Sequence, residues 1–215
     1  MKRNIVFTEL TETDYDLNKF NDNYGFLSPD KISNGMRTMD ICHTNNLTTK
    51  EQLFAIITPK KIIEAGINLY NKCLELNKET TIEYCINHQY TLAICRAFKG
   101  YQKEVNLFNE FKNKGLSVKM ANNQLDLQYA IDMIIKKDNI LIGIQLKPFS
   151  YYAATDEHKT KIKEKNKLKF KRFIKDMNAK GFITRTFIVY HKNDEFVINT
   201  PDFIEEQIQE LINMV

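Results

Sequence analysis

Two apolar runs in this chain carry polar residues that they have no evident reason to carry. Asp132 interrupts Ala130-Ile131-Asp132-Met133-Ile134-Ile135, and after the turn Lys136-Lys137-Asp138-Asn139 the run Ile140-Leu141-Ile142-Gly143-Ile144-Gln145-Leu146-Lys147 ends on a lysine. A carboxylate inside an apolar strand is costly unless it is paired or holds a metal. An acid on one strand and a lysine closing the next could supply an oxygen ligand for Mg²⁺ and a cation that orients or deprotonates an attacking water. Phosphodiester hydrolysis needs that pair. A salt bridge from Asp132 to Lys147 across a hairpin is the structural alternative, and the apolar surroundings of both residues weigh against it.

The elements that must position these residues follow from periodicity. Side chains alternate along a strand, so Ile140, Ile142, Ile144 and Leu146 share one face, while Leu141, Gly143, Gln145 and Lys147 share the other. Gln145 and Lys147 then point the same way, and Gly143 is expected to leave space beside them. Glu104 lies on the stripe of Tyr101, Val105, Phe108 and Phe111, on the inner side of a helix expected at 101–114, stopped by Gly115. A glutamate there needs a partner. A metal shared with Asp132 would serve, as would solvent-side pairing with Lys103 or Lys112.

Around this hairpin the order of elements reads helix, three strands, helix, strand. Strands are expected at 116–120, 128–135 and 140–147, with Pro148 ending the third. A basic helix follows at 155–180, opened by Thr155-Asp156-Glu157. Beyond Gly181 come a strand at 183–190, a turn at Lys192-Asn193-Asp194, a short strand at 196–198 and a helix opened by Thr200-Pro201. The basic helix carries lysines at every second position, a strand-like period. Its length and the stripe Ile162, Phe170, Phe173, Ile174, Met177 favour helix. Before residue 100 the chain reads as mainly helical. Residues 4–46 are turn-rich, one helix runs from the N-cap Thr58 and Pro59 to Asn77, and the next starts at Thr80 with a capping-box pattern, Thr80 to Glu83, and buries Ile82, Cys85, Ile86 and Ala93.

The chain has 215 residues, 43% of them hydrophobic, enough for one compact domain or a domain with a smaller companion. No apolar run is long enough to span a bilayer, and the N-terminus lacks a signal-peptide block, so secretion and membrane insertion are not expected. Cys42, Cys73, Cys85 and Cys95 do not make a disulfide framework and read as reduced thiols of a cytoplasmic protein. The net charge is +4, yet residues 159–175 hold nine cations against one anion, Glu164. Such a face suggests a polyanion partner, because clustered charge gains from counterion release. A merely solvated lysine-rich helix is the plainer reading, since lysine dominates the cations throughout.

The element order and the Asp132…Gln145-x-Lys147 signature resemble the PD-(D/E)xK nuclease superfamily, in a variant form with Gln where the second acid usually stands. More closely, the stretch from Glu83-Tyr84-Cys85-Ile86-Asn87 through Phe98-Lys99-Gly100-Tyr101-Gln102-Lys103-Glu104 to Ile142-Gly143-Ile144-Gln145-Leu146-Lys147-Pro148 is similar to MjaI-type type II restriction endonucleases. The resemblance implies an α/β fold, with a restriction-endonuclease-like mixed central sheet flanked by helices. A nuclease core at 100–215 would follow a mainly helical region at 1–99 with a recognition or dimerisation role. It also implies Mg²⁺-dependent cleavage of double-stranded DNA at a short palindrome, CTAG being the expected target, by a homodimer accompanied by a cognate DNA methyltransferase. Asp132 would be the principal metal ligand, Lys147 would position the water, and Glu104 would be the additional acid. Gln145 can offer an amide oxygen but no charge, which favours one-metal chemistry. Lys159, Lys161, Lys163 and Lys165 on the basic helix, with Tyr151 in the preceding loop, would approach DNA.

Other readings stay open at this level. Asp126 is a competing acid. Cys85-x2-His88 with Cys95 has zinc-ligand types but lies along one helix without a matching second pair. A non-catalytic DNA-binding protein on the same fold, or a structure-specific nuclease such as a junction resolvase, would share the signature.

Overall fold

The alternation along Ile140–Pro148 builds a central strand with two different faces. In the computed structural model, which describes residues 10, 38–153 and 157–214, this strand is β3 of a five-stranded sheet in the order β1-β2-β3-β4-β5. The strands are β1 Val118–Met120, β2 Met133–Lys137, β3 Ile140–Pro148, β4 Ile183–Lys192 and β5 Glu195–Ile198. The β3/β4 pair is parallel and the other three are antiparallel, so the sheet is mixed. A parallel pair needs a long crossover. Here it is supplied by two helices, α7 Phe149–Ala153 and α8 Glu157–Asn178.

The chain divides into two compact units, residues 1–102 and 103–215. In the second unit, one face of β3 (Ile140, Ile142, Ile144, Leu146) packs with Leu107 and Phe111 of α5 (Ala97–Asn113) and with Ile204, Ile208 and Leu211 of α9 (Pro201–Asn213). The other face carries Leu141 against Ile131, Tyr129 of α6 (Asn123–Tyr129) and Phe173 of α8. Both faces of β3 are covered, which is why its run is without polar side chains on either face as far as Ile144 and buried as far as Leu146. The first unit is helical: α1 Thr38–Asn45, α2 Lys50–Ile56, α3 Pro59–Glu75 and α4 Ile82–Tyr90, which continues through a π-helical turn, Thr91–Arg96, into α5. Gly66 of α3 is required by packing, because a Cβ there would lie 2.5 Å from the Ile86 Cα of α4.

Several sequence expectations shift. Residues 128–131 are not strand: 123–129 form α6, and β2 starts only at Met133, so Asp132 precedes the strand instead of interrupting it. Gly100 lies inside α5 and does not mark the start of a new helix. The capping pattern at Thr80 is displaced by one residue, Thr81 being the N-cap that accepts from Tyr84 N–H at 3.1 Å, and Ile82 is only half-buried. The capping box forms instead at Thr49 and Gln52, where each side chain bonds the other's backbone N–H. Thr58 makes no side-chain cap bond, and the buried positions of α3 are Ile62, Gly66, Leu69 and Cys73, with Leu74 exposed. The basic segment is helical, as its apolar stripe requires. Its expected start at Thr155 and Asp156, and the turn-rich residues 4–9 and 11–37, lie outside the described residues. Among the described residues, no helix is long and apolar enough to cross a membrane.

Candidate active site

Asp132 is delivered by a short reversal. The first turn of α6 is capped by Asn122, whose Oδ1 accepts from Leu125 N–H at 2.9 Å, and the helix ends at Ala130, which adopts the left-handed conformation (φ 57°, ψ 42°). That turn drives Ile131 into the core and leaves Asp132 beside the end of β3. The backbone of Asp132 is tied on both sides: its N–H donates to Ile144 O at 2.8 Å and its carbonyl accepts from Ala121 N–H at 2.9 Å. The β2/β3 ladder ends at the Met133–Ile144 pair, so the next β3 N–H facing that side, that of Leu146, lacks a strand partner. The Asp132 carboxylate supplies one: Oδ2 accepts from Leu146 N–H at 2.7 Å.

Burial pushes the Asp132 carboxyl up from 3.8 to about 7; Lys147 pulls it down, Glu104 pushes it up, the Leu146 N–H pulls it down and Asp126 pushes it up. The net direction is the informative part. Burial outweighs the pull of the nearby lysine. Glu104 stands within electrostatic reach because Leu107 and Phe111, fully buried further along the same side of α5, seat that face of the helix on the sheet. Lys103, one of the solvent-side partners considered for Glu104, is paired with Asp194, and Lys112 lies over the Phe108 ring at 5.3 Å.

Gln145 is 2% exposed. Its Oε1 accepts from Asn166 Nδ2 of α8 at 3.4 Å, and the same Nδ2 lies 3.4 Å from the Tyr151 hydroxyl. Lys147, two residues on along the same face, is half-buried at the rim. The space expected above Gly143 is filled. A Cβ there would stand 2.6 Å from Ile131 Cδ1 and 2.9 Å from Phe173 Cε1, so glycine is required by the packing that brings the Asp132 segment against β3.

The residues expected to meet DNA divide. Lys163 lies over the Tyr151 ring at 5.6 Å and donates to Tyr152 O at 3.1 Å, which puts Lys163 and Tyr151 at the Gln145 end of the site. Lys161 and Lys165 are on α8, where both are exposed, and Lys159 falls in the first turn of the same helix. Lys169 is structural, donating to Leu127 O at 2.6 Å. Cys85 and His88 are both buried. Burial first, and then Arg96, drives the His88 imidazole down to about 4, and Cys85 Sγ lies 3.5 Å from Thr80 Oγ1. Among the described residues, no group of three His, Cys, Asp or Glu side chains could hold a metal ion alone. A divalent ion at Asp132 would therefore draw on an amide oxygen, water or substrate as well.

The family model of the MjaI restriction endonuclease matches residues 16–209, nearly the whole chain. The chain belongs to the MjaI restriction endonuclease family. No curated protein and no solved structure matches it. Membership places the protein among restriction nucleases, whose substrate is DNA, and the mixed sheet flanked by helices agrees with the restriction-endonuclease-like fold. Asn166 is the residue of this MjaI-family chain that the sequence motifs leave out. Its signal is present all the same, since it falls on the inner stripe of α8 with Ile162, Phe170, Phe173 and Met177.

Proposed function

We propose that this MjaI-family protein is a type II restriction endonuclease that hydrolyses both strands of a short palindromic DNA site, with CTAG the expected target, using Mg²⁺ held by Asp132, Glu104 and Gln145. The observation that carries the reading is the Asp132 carboxylate, fixed by the Leu146 N–H and lying in the opposed fields of Lys147 and Glu104. A buried carboxyl that a nearby lysine fails to bring back to its ordinary range fits a cation site. Mg²⁺ in particular is commonly bound by one or two carboxylates, keeping waters and substrate phosphate as its other ligands. The donors proposed, two carboxylates and one amide oxygen, would suit that habit and would suit one ion better than two.

Bound there, Mg²⁺ would polarise a phosphoryl oxygen and acidify a water. The chain's own residues do the rest. Asp132 and Glu104 set the negative field at the rim of the sheet. Lys147 donates a hydrogen bond to the attacking water, orients it in line with the scissile bond, and offsets the charge that develops on the phosphoryl oxygens. Lys161, Lys163 and Lys165 of α8, with Lys159 before them and Tyr151 beside them, bind the flanking backbone phosphates, which fixes register without reading sequence. Two-fold symmetry of a palindrome matches a homodimer, each protomer cutting one strand. Four buried cysteines outside any disulfide suit a reducing cytoplasm, where a cognate methyltransferase would protect the host's own sites.

Digestion of DNA of known sequence with Mg²⁺, with the ends mapped, tests this. Discrete fragments with a common end sequence support a type II enzyme. A mobility shift without cutting would make the protein a binder on the same fold, and preference for branched DNA would make it a resolvase.

A further inference from the structure

A glutamine standing where an acid would otherwise stand brings a difficulty that the acid does not. A carboxylate presents two equivalent oxygens, whereas an amide presents an acceptor at one end and a donor at the other, and a half-turn about its last bond exchanges them. With the amide turned the wrong way, Gln145 would aim N–H groups at a cation. Something in the fold must therefore choose the orientation. Gln145 is 2% exposed, so water is a poor candidate, and its neighbours on β3 are Ile144 and Leu146, both apolar. The polar side chain that reaches its Oε1 is Asn166, from the middle of α8, with Nδ2 at 3.4 Å.

We propose that Asn166 is a positioning residue of the active site: its side-chain amide donates to Gln145 Oε1 and thereby fixes which end of the Gln145 amide faces the divalent ion. The inference rests on Gln145 being a metal ligand, as proposed above. An amide oxygen has two lone pairs, so one can take the Asn166 hydrogen bond while the other remains for the ion. Turning the Gln145 amide would set its Nε2 against Asn166 Nδ2, donor against donor, and leave a buried amide poorly satisfied. Asn166 is itself placed by packing. It is half-buried on the stripe that seats Phe170 and Phe173 against the sheet, and its Nδ2 also lies 3.4 Å from the Tyr151 hydroxyl, to which it donates. Tyr151 in turn lies under Lys163. The side chains expected to grip the DNA backbone are thus linked, neighbour to neighbour, to the one that orients a metal ligand.

The test is a cycle in which orientation matters in one background and not in the other. Wild type, Asn166→Ala, Gln145→Glu and the double variant are each titrated with Mg²⁺ by calorimetry on the full chain without DNA, and again in single-turnover cleavage. Partners that orient a metal ligand typically contribute about 10- to 100-fold to metal affinity. Asn166→Ala is expected to weaken Mg²⁺ binding by about tenfold in the wild-type background. In the Gln145→Glu background it should weaken binding by less than about twofold, because either carboxylate oxygen can then serve. Equal losses in both backgrounds would make Asn166 a structural residue and overturn the inference, as would no loss in either. Gln145→Ala separates the levels. If it weakens Mg²⁺ binding while Asn166→Ala does not, the inference alone falls; if it leaves Mg²⁺ binding unchanged, the metal-ligand reading falls and takes the inference with it. Unaltered helical circular dichroism of Asn166→Ala shows that the comparison is made on folded protein.

Discussion

A carboxyl raised by burial should cost the metal-free protein stability, and Asp132→Asn is the substitution that reveals it. The variant keeps an oxygen for the Leu146 N–H and removes only the charge. Raising a carboxyl from 3.8 to about 7 corresponds to at most ~4 kcal/mol. Water reaching the half-buried side chain screens this to an expected ~1–2 kcal/mol. The sign follows from linkage. Below pH ~4 the folded and unfolded chains both carry the proton and there is no penalty. Between pH ~4 and ~7 the unfolded chain has lost its proton and the folded chain still holds it. Above ~7 both are ionised, and the folded state alone bears the buried charge. Wild-type stability attributable to this group therefore declines as pH rises from ~4 to ~7. Urea unfolding in EDTA, followed by circular dichroism, should show Asp132→Asn equal to wild type near pH 4 and ~1–2 kcal/mol more stable near pH 8. Added Mg²⁺ should then stabilise wild type and leave the variant unmoved, closing the gap. A variant that is less stable than wild type at pH 8, or a gap independent of pH, would refute the reasoning.

Other consequences can be checked separately. Lys147→Ala should slow single-turnover cleavage by roughly a hundredfold or more while leaving most DNA binding in a mobility-shift assay, because the lysine acts on the water and the developing charge. Gly143→Ala should lower the unfolding free energy in urea by ~1–3 kcal/mol, since its Cβ would meet Ile131 and Phe173 at under 3 Å and one of them must give way. Tyr129→Phe removes the 2.9 Å hydrogen bond to Asp176 Oδ2 that ties α6 to α8 and should cost ~1 kcal/mol in the same measurement. Lys161→Ala combined with Lys165→Ala should flatten the dependence of DNA affinity on salt by about one unit of slope for each phosphate no longer neutralised; an unchanged slope would remove α8 from the DNA interface.

The face assignments of β3 were legible because strict alternation leaves one solution: the positions of Gln145 and Lys147 follow from Ile140, Ile142, Ile144 and Leu146. The helix carrying Glu104 was legible from its stripe, although the fully buried member of the stripe is Leu107 where Phe108 was expected. The approach of Asp132 was not legible. Leu125, Leu127 and Tyr129 fall at strand-like spacing in a segment that forms a helix, and the reversal at Ala130 uses a left-handed conformation that alanine does not advertise. Gly143 was misread because a missing side chain looks the same in a sequence whether it leaves room for a ligand or for a neighbouring Phe173. The continuity of helix from Ile82 to Asn113 through a π-helical turn was hidden by Gly100, a residue that usually signals an end and here does not.

The central claim is that Asp132, Glu104 and Lys147 act on one divalent ion and one scissile phosphate. Its most direct measurement is Mg²⁺-dependent cleavage of a plasmid by wild type, Asp132→Ala, Glu104→Ala and Lys147→Ala, with DNA binding recorded in parallel. The account predicts defined fragments from wild type only with Mg²⁺, and near-complete loss of cutting with retained binding in the Asp132 and Lys147 variants. Undiminished cleavage by both of those variants, or wild-type cutting that persists in EDTA, would contradict it.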